Sequence, residues 1–497
     1  MASTTESSSS RILPISLADS SESSSNRRLP LNLTRHPAWP VTALLVGYPL
    51  WWVLGLADFM WIILAIPMVI RMISWRVQNS RSLRMPPGFG IWLAFLLVAF
   101  AGIAVLGLTA PGTTPSPVSH RVFAYLYRNA TYVGITVLLL YVGNLTESEL
   151  PRRRLAWMLG LVAIYTVIGG LAGMARPQFS FNSPVGALLP HSIRSNTYVQ
   201  VVTHPGLAQV QGVQGVAGAS HARPKAPFDY TNAWGASLTL LMAWLIVGWW
   251  PGGTRRRRLF VASVVVIAIV PLLYSLNRNA WAGAAIALAF LLVLLVGRRP
   301  RALVATLSGG LLVVAVIAFA TPVPSLIASR LSNGGSVNLR SDLDNLAVRD
   351  GLASPVIGYG DTRKQIGSQK SISVGPNSKC AQCGQQEVGS TGQLWLLLVC
   401  NGIVGTILYV AFFAGGIWRF RRDRTPYGYA GKIALVLSLL YMISYTALSA
   451  PFAFTMLAYA MLWRNEIERR RQSVPRSTGA WQPRLPERAA VISEPIA

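Results

Sequence analysis

Histidine and cysteine are scarce in this 497-residue chain, which has five of the first and three of the second. His36, His120, His191, His204 and His221 show no metal-ligand spacing. The CxxC at Cys380 and Cys383 lacks a second ligand pair, so no metal centre is expected. Acid is also scarce, with 17 Asp and Glu against 44 Lys and Arg. No glycine-rich run has P-loop or dinucleotide-fingerprint spacing, and no cofactor is expected. An early apolar run with a cleavage site is missing too, so a removable signal peptide is not expected. Charged residues make up only 12% of the chain, about half the share in ordinary soluble domains.

What the chain does have is hydrophobic length, at 52% apolar residues and a mean hydropathy of +0.44. Long apolar runs alternate with arginine clusters at Arg71 to Arg84, Arg152 to Arg154, Arg255 to Arg258, Arg298 to Arg301, Arg419 to Arg424 and Arg464 to Arg471. Lys and Arg are retained on the cytoplasmic connections of membrane proteins, so this segregation predicts a polytopic membrane protein. The formal charge of +27 then reflects orientation and anchoring to anionic lipid. The arginines form no stripe beside base-stacking aromatics, so nucleic acid is not an expected partner. Trp51, Trp52, Trp61, Trp249 and Trp250 fall near span ends, where amphipathic rings suit the headgroup zone.

The pattern predicts an all-α polytopic membrane protein with about twelve transmembrane helices, at roughly 20 residues per crossing. The spans are expected at 38–56, 58–73, 88–108, 122–143, 155–173, 229–250, 258–275, 280–297, 302–320, 393–416, 431–447 and 450–464. A cytoplasmic N-terminus puts every strong basic cluster inside and returns the C-terminus to the cytoplasm. Residues 1–35 and 465–497 read as disordered tails around a membrane domain over 36–464. Connections 174–228 and 321–392 are the longest and both fall outside. Unpaired polar groups are not tolerated in lipid, so these loops are expected to form a cap over a wet cavity.

Charged residues on the outer side carry the chemical information. In the run RSDLDNLAVRD, Arg340 and Asp344 share a helical face, and Arg349 lies about two and a half turns beyond Arg340. A local salt bridge accounts for that spacing. So does a set of guanidiniums matched to phosphate oxygens. Arg278 sits in SLNRNAW, a short turn between two apolar runs, where either snorkelling or function explains it. Arg223 and Asp229, in RPKAPFDYTN, are placed to pair or to line a cavity mouth, as are Asp344 and Gln393. Cys380 and Cys383 fit a disulfide in an oxidising outer compartment, and Cys400 fits a buried small hydrophobe.

These features resemble the O-antigen ligase and polymerase (Wzy-like) family of bacterial envelope enzymes. RPKAPFDYTNAWG resembles the family stretch with an arginine before a Phe/Asn-rich helix entrance. SLNRNAWAGAAIAL resembles its polar-Arg-Trp turn, which carries a role over to Arg278. The arginine helix ending in SPVIGYG resembles the family's arginine helix, which carries a role over to Arg340 or Arg349. The ligases of that family have a catalytic His-Asn pair before a late span. Here that run is GSTGQLWLLL, without histidine, and loop 321–392 contains none.

The resemblance implies a metal-independent glycosyltransferase of the bacterial cytoplasmic membrane. Its partners would be a polyprenyl-diphosphate-linked oligosaccharide donor, a lipid-linked or envelope glycan acceptor and membrane lipids. Arg278, Arg340, Arg349 and Arg223 would hold the diphosphate. With histidine missing, Asp342 is the leading base, ahead of Glu387, Asp344 and Asp229. A lipid-linked glycan transporter and a non-catalytic assembly protein are the alternatives.

Overall fold

The computed structural model describes residues 36–78, 80–190, 197–209, 222–295, 304, 308, 335–365 and 387–473. Among the described residues the fold is all-α apart from four two-residue strands. Five described helices are long and apolar enough to cross a membrane: Met60–Val77, Arg152–Ala175, Thr231–Trp249, Arg255–Tyr274 and Gln393–Arg419. The chain therefore has multi-pass membrane character.

Five is fewer than the twelve expected from the apolar runs, and the physical reasons differ by segment. The first run is interrupted at Gly47 and splits into α1 (Trp39–Val46) and α2 (Tyr48–Leu54), of eight and seven residues. At 1.5 Å per residue each is only about 10–12 Å long. After α3 (Met60–Val77), α4 (Phe89–Ala101) stops in a 3-10 turn at Gly102–Val105. α5 (Ser119–Asn144) is long, but it buries Arg121, Arg128, Asn129 and Asn144. α6 (Arg152–Ala175) qualifies as a span, and two short helices follow it, α7 (Pro184–Leu188) and α8 (Thr197–Thr203). Of the expected crossing at 302–320, only Val304 and Ser308 are described.

Among the described residues the expected cap is not present either. Among the described residues, the first outer segment contributes a two-residue pair, β1 (Ala208–Gln209) with β2 (Arg223–Pro224), which packs on α6. After α9 (Thr231–Trp249), α10 (Arg255–Tyr274) and α11 (Arg278–Leu295), the second outer segment begins with α12 (Gly335–Ala353). A second pair follows, β3 (Arg363–Lys364) with β4 (Glu387–Val388). α12 packs on α13 (Gln393–Arg419) instead of closing over the first segment.

α6 and α9 form the closest helix pair because small residues face one another. A side chain at Gly248 would come within 2.6 Å of the Ala156 backbone, and one at Gly160 within 2.8 Å of Leu245. In lipid, close packing of small residues holds helices together where water supplies no drive. Opposite faces meet lipid instead. On α3 the exposed residues Ile63, Ile66, Ile70, Ile73 and Val77 recur at helical spacing and form one apolar stripe.

The chain ends in α14 (Pro426–Tyr441) and α15 (Ser449–Ser473). Every residue of α15 from Ser449 to Asn465 is buried, so this expected lipid-facing crossing is the central core helix. It runs on as helix through 465–473, residues expected in a tail. An aromatic cluster flanks it: Trp92 lies 4.9–5.8 Å from Phe95, Phe412 and Phe452, and donates to Thr136 Oγ1 at 2.8 Å. Such ring pairs add about 0.5–1.5 kcal/mol each beyond simple burial.

α13 is broken at Gly402, whose φ is 68°. The turn at residues 355–360 docks into that break. Tyr359 N and Gly360 N donate to the freed carbonyls of Val399 and Cys400 at 2.8 and 3.0 Å, and Val404 N donates to Pro355 O at 2.9 Å. A broken helix in lipid needs such replacement partners. Any Cβ at Gly402 would meet the Pro355 carbonyl at 2.6 Å.

Candidate functional site

Helix geometry gives the bundle two distinct ends. Ser449 opens α15 beside Asp58, and Arg464 lies 15 residues later against the carbonyls of Thr146 and Leu150. The two points are about 22 Å apart along the axis. The described arginines of the basic clusters gather at the Arg464 end. The candidate site is at the Ser449 end.

Two aspartates meet there. Asp58 lies in the turn between α2 and α3, and Asp229 in the segment leading into α9. Asp58 Oδ1 accepts from Ser449 Oγ, and Asp229 hydrogen-bonds to Asp58. Two carboxyl groups can share a hydrogen bond only with a proton between them. Burial, then the charge and hydrogen bond of Asp58, hold the Asp229 carboxyl well above the usual carboxylate range, and Lys225 opposes them. Burial also lowers the Lys225 ammonium, with Asp229 opposing.

Local packing fixes this pair. Lys225 N donates to Leu207 O at 3.0 Å, and Gln209 Oε1 accepts from the Thr231 hydroxyl at 3.2 Å. Gly169 admits the segment: a Cβ there would lie 2.1 Å from Ala226 O. Phe228 packs on Tyr48 at 5.3 Å, closing the apolar side. Tyr230, 41% exposed, stands at the open side, within electrostatic reach of Asp229, Asp58 and Glu387.

Near this pair the turn after α14 collects the expected arginines. The backbone of Gln393 donates to Tyr445 O at 2.7 Å, seating the start of α13 on that turn. Tyr445 feels the charges of both Arg223 and Arg340. Arg223 Nε donates to Ser275 O at 2.7 Å, and its Nη2 to Asn232 Oδ1 at 3.4 Å. Asn279, next to Arg278 at the start of α11, donates to Ser444 Oγ. A small cavity beside Tyr445 is lined by Asn232, Tyr441, Thr446 and Pro451.

The other expected residues are placed unevenly. Asp342 and Arg349 are exposed on α12, and the Arg349 charge acts on the adjacent Asp350. Asp344 accepts from Thr391 Oγ1. Burial raises its carboxyl, with Thr391 and Arg340 opposing. Glu387 is exposed and accepts from Thr362 Oγ1 at 3.1 Å. Gln393 is fully buried, and its Nε2 donates to Tyr132 Oη at 3.4 Å. Cys380 and Cys383 lie outside the described residues, and Cys400 is buried with a free thiol.

A second buried cluster lies on the α12 side. Arg128 donates to Asp361 Oδ1 at 2.6 Å and to Gly360 O at 3.1 Å. Arg363 donates to the carbonyls of Tyr359, Asp361, Leu106 and Leu108 at 2.8–3.3 Å, and Arg121 shares the last two. Burial, reinforced by the nearby Arg121 charge, lowers the Arg363 guanidinium to about 10. Asp350 is fully buried, and neither carboxylate oxygen has a hydrogen-bond partner among the described residues. Burial raises its carboxyl to about 7, with Arg363 and Arg349 opposing.

Sequence reading missed Asp58, Lys225, Tyr230 and Tyr445 as site residues. A signal for the aspartates was available. Asp58 is the sole acidic residue between positions 36 and 146, and Asp229 the sole one between 150 and 341. A lone acid in so long an apolar stretch is costly without a role. Among the described residues, no three His, Cys, Asp or Glu gather as a metal site. No family model, no curated protein and no solved structure matches this chain.

Proposed function

We propose that this chain transfers a polyprenyl-diphosphate-linked glycan to a hydroxyl acceptor at the Ser449 end of the bundle. The setting is a bacterial cytoplasmic membrane, with the basic end and both termini inside. The observation that carries this reading is the juxtaposition of Asp58 and Asp229 near a turn whose Tyr445 feels the charges of Arg223 and Arg340.

Arg223 and Arg340 stabilise the diphosphate as negative charge grows on it, with Arg278 at the adjoining helix start. The acceptor hydroxyl attacks the anomeric carbon, and the bond between sugar and diphosphate breaks. The acceptor proton passes to the ionised oxygen of the aspartate pair, and polyprenyl diphosphate leaves. A pair holding one proton offers one basic site without two facing negative charges, and general base catalysis of this kind supplies about 10²–10⁴-fold. The pair replaces the expected base Asp342, which is solvent-exposed on α12. A polymerase-like acceptor, another lipid-linked unit, fits better than a ligase-like one because GSTGQLWLLL has no histidine.

Purified protein mixed with polyprenyl-diphosphate oligosaccharide in detergent tests the reading. New glycosidic product together with released polyprenyl diphosphate is expected. Movement of the donor across a vesicle bilayer without bond formation would replace the enzyme with a transporter.

A further inference from the structure

At the opposite end, α5, α15 and the segment after α3 enclose a cavity of about 170 Å³. A single water occupies about 30 Å³ of liquid, so there is space for a polyatomic ion. Four guanidiniums line it, from Arg81, Arg84, Arg464 and Arg471, against the carboxylates of Glu147 and Glu468. The site is independent of the glycan-transfer reading.

The charges here are not all spent on one another. Arg81 is committed to Glu149 at 2.9 Å and stacks on Trp75 at 4.5 Å. Glu147 is drawn to Arg152 at 3.1 Å, and only its 3.4 Å contact reaches Arg464. Arg464 is 6% exposed; its Nη2 serves the carbonyls of Thr146 and Leu150 at 3.2 and 2.5 Å. Its Nη1 is buried and has no hydrogen-bond partner among the described residues. A buried guanidinium nitrogen left unpaired is costly, so this arginine is not satisfied by the described protein groups alone. Arg471 reaches Glu468 only at 4.0 Å, and the exposed Arg84 side chain makes no ion pair among the described residues. The backbone beneath Arg84 is rigid, since Asn144 bonds both its N–H and its carbonyl at 2.8 and 2.9 Å.

We infer that this pocket binds a phosphate oxyanion, held by the forks of Arg84, Arg464 and Arg471. The phosphate is that of an anionic lipid headgroup or a free phosphate ion. Guanidiniums match tetrahedral oxyanions through paired hydrogen bonds, and basic pockets between helices on the cytoplasmic side are suited to such headgroups.

The test uses full-length protein in nanodiscs of phosphatidylcholine, titrated either with phosphatidylglycerol in the bilayer or with inorganic phosphate in solution. Thermal unfolding is followed by tryptophan fluorescence. A saturable rise in midpoint is expected. In the double variant R84Q/R471Q the half-saturating concentration should rise about tenfold or more. Those two side chains leave every recorded backbone bond intact, so the variant should fold, and its unliganded midpoint checks this. Saturation by phosphatidylglycerol alone assigns a lipid headgroup, and saturation by inorganic phosphate as well assigns a free ion. No saturable shift with either probe overturns the inference. An equal shift in the wild type and in the double variant overturns it too.

Discussion

Two buried charged clusters lie at the same end of this bundle and are built in opposite ways. Around Arg128 and Arg363, positive charge is abundant and nearly every guanidinium nitrogen meets a carbonyl or a carboxylate, with Asp350 beside them the one acid left without a hydrogen-bond partner among the described residues. Around Asp58 and Asp229, two acids face each other with a half-buried lysine nearby, and the Asp229 carboxyl is held well above its usual range by burial and by Asp58. Saturated polar networks stabilise one conformation, whereas incompletely balanced ones leave a group whose protonation can change. The first cluster holds the α12 turn in place, and the second has the capacity for chemistry.

Breaking the Arg128–Asp361 pair should have the largest effect on folding. Arg128→Met leaves Asp361 buried without its partner, so a loss of about 3–5 kcal/mol is expected. Unfolding in detergent would measure it, and a loss under 1 kcal/mol would show that the pair is not a structural clamp. Asp229→Asn tests the other cluster. Transfer should fall by roughly 100-fold or more while the folded protein persists, because an amide still donates to Asp58. Equal losses of activity and stability would instead make the pair structural.

Asp350 sharpens the contrast through pH. Its folded carboxyl is raised to about 7, against about 3.9 in the unfolded chain. A raised carboxyl contributes stability at low pH that is lost as pH rises toward 7. Asp350→Asn should therefore stabilise the protein relative to wild type above pH 7, with the difference fading toward pH 4. A difference that grows on acidification would contradict the assignment. The smallest effect separates the two α12 arginines. Arg340→Gln should raise the KM for donor about tenfold, as expected for one charged hydrogen bond. Arg349→Gln should change it less than twofold, because the charge felt at Tyr445 is that of Arg340, whereas Arg349 acts on Asp350.

Much of the helix map was readable in the chain. The run expected at 229–250 is the helix Thr231–Trp249, and that at 155–173 falls inside Arg152–Ala175. Hydropathy says that a segment avoids water, but not whether lipid or protein replaces the water. α15 shows the difference, being apolar on all sides and enclosed by other helices. Arg223 and Arg340, whose charges both act on Tyr445, could be singled out in the chain because a cation outside the basic clusters stands out. Asp58 and Asp229 were not legible as a pair, since local spacing cannot report a contact between segments so far apart in the chain.

The joint between the 355–360 turn and α13 is made almost wholly of main chain. Its partners are amides and carbonyls, which every residue carries, so the intervening side chains can drift without loosening it. Only Gly358, Gly360 and Gly402 are fixed there, each at positive φ and each with backbone atoms where a Cβ would stand. Selection on this joint therefore acts through three missing side chains. A change at any of them should loosen the turn from the break in α13, leaving α12 held there only by its side-chain packing around Leu343, Ala347 and Val399.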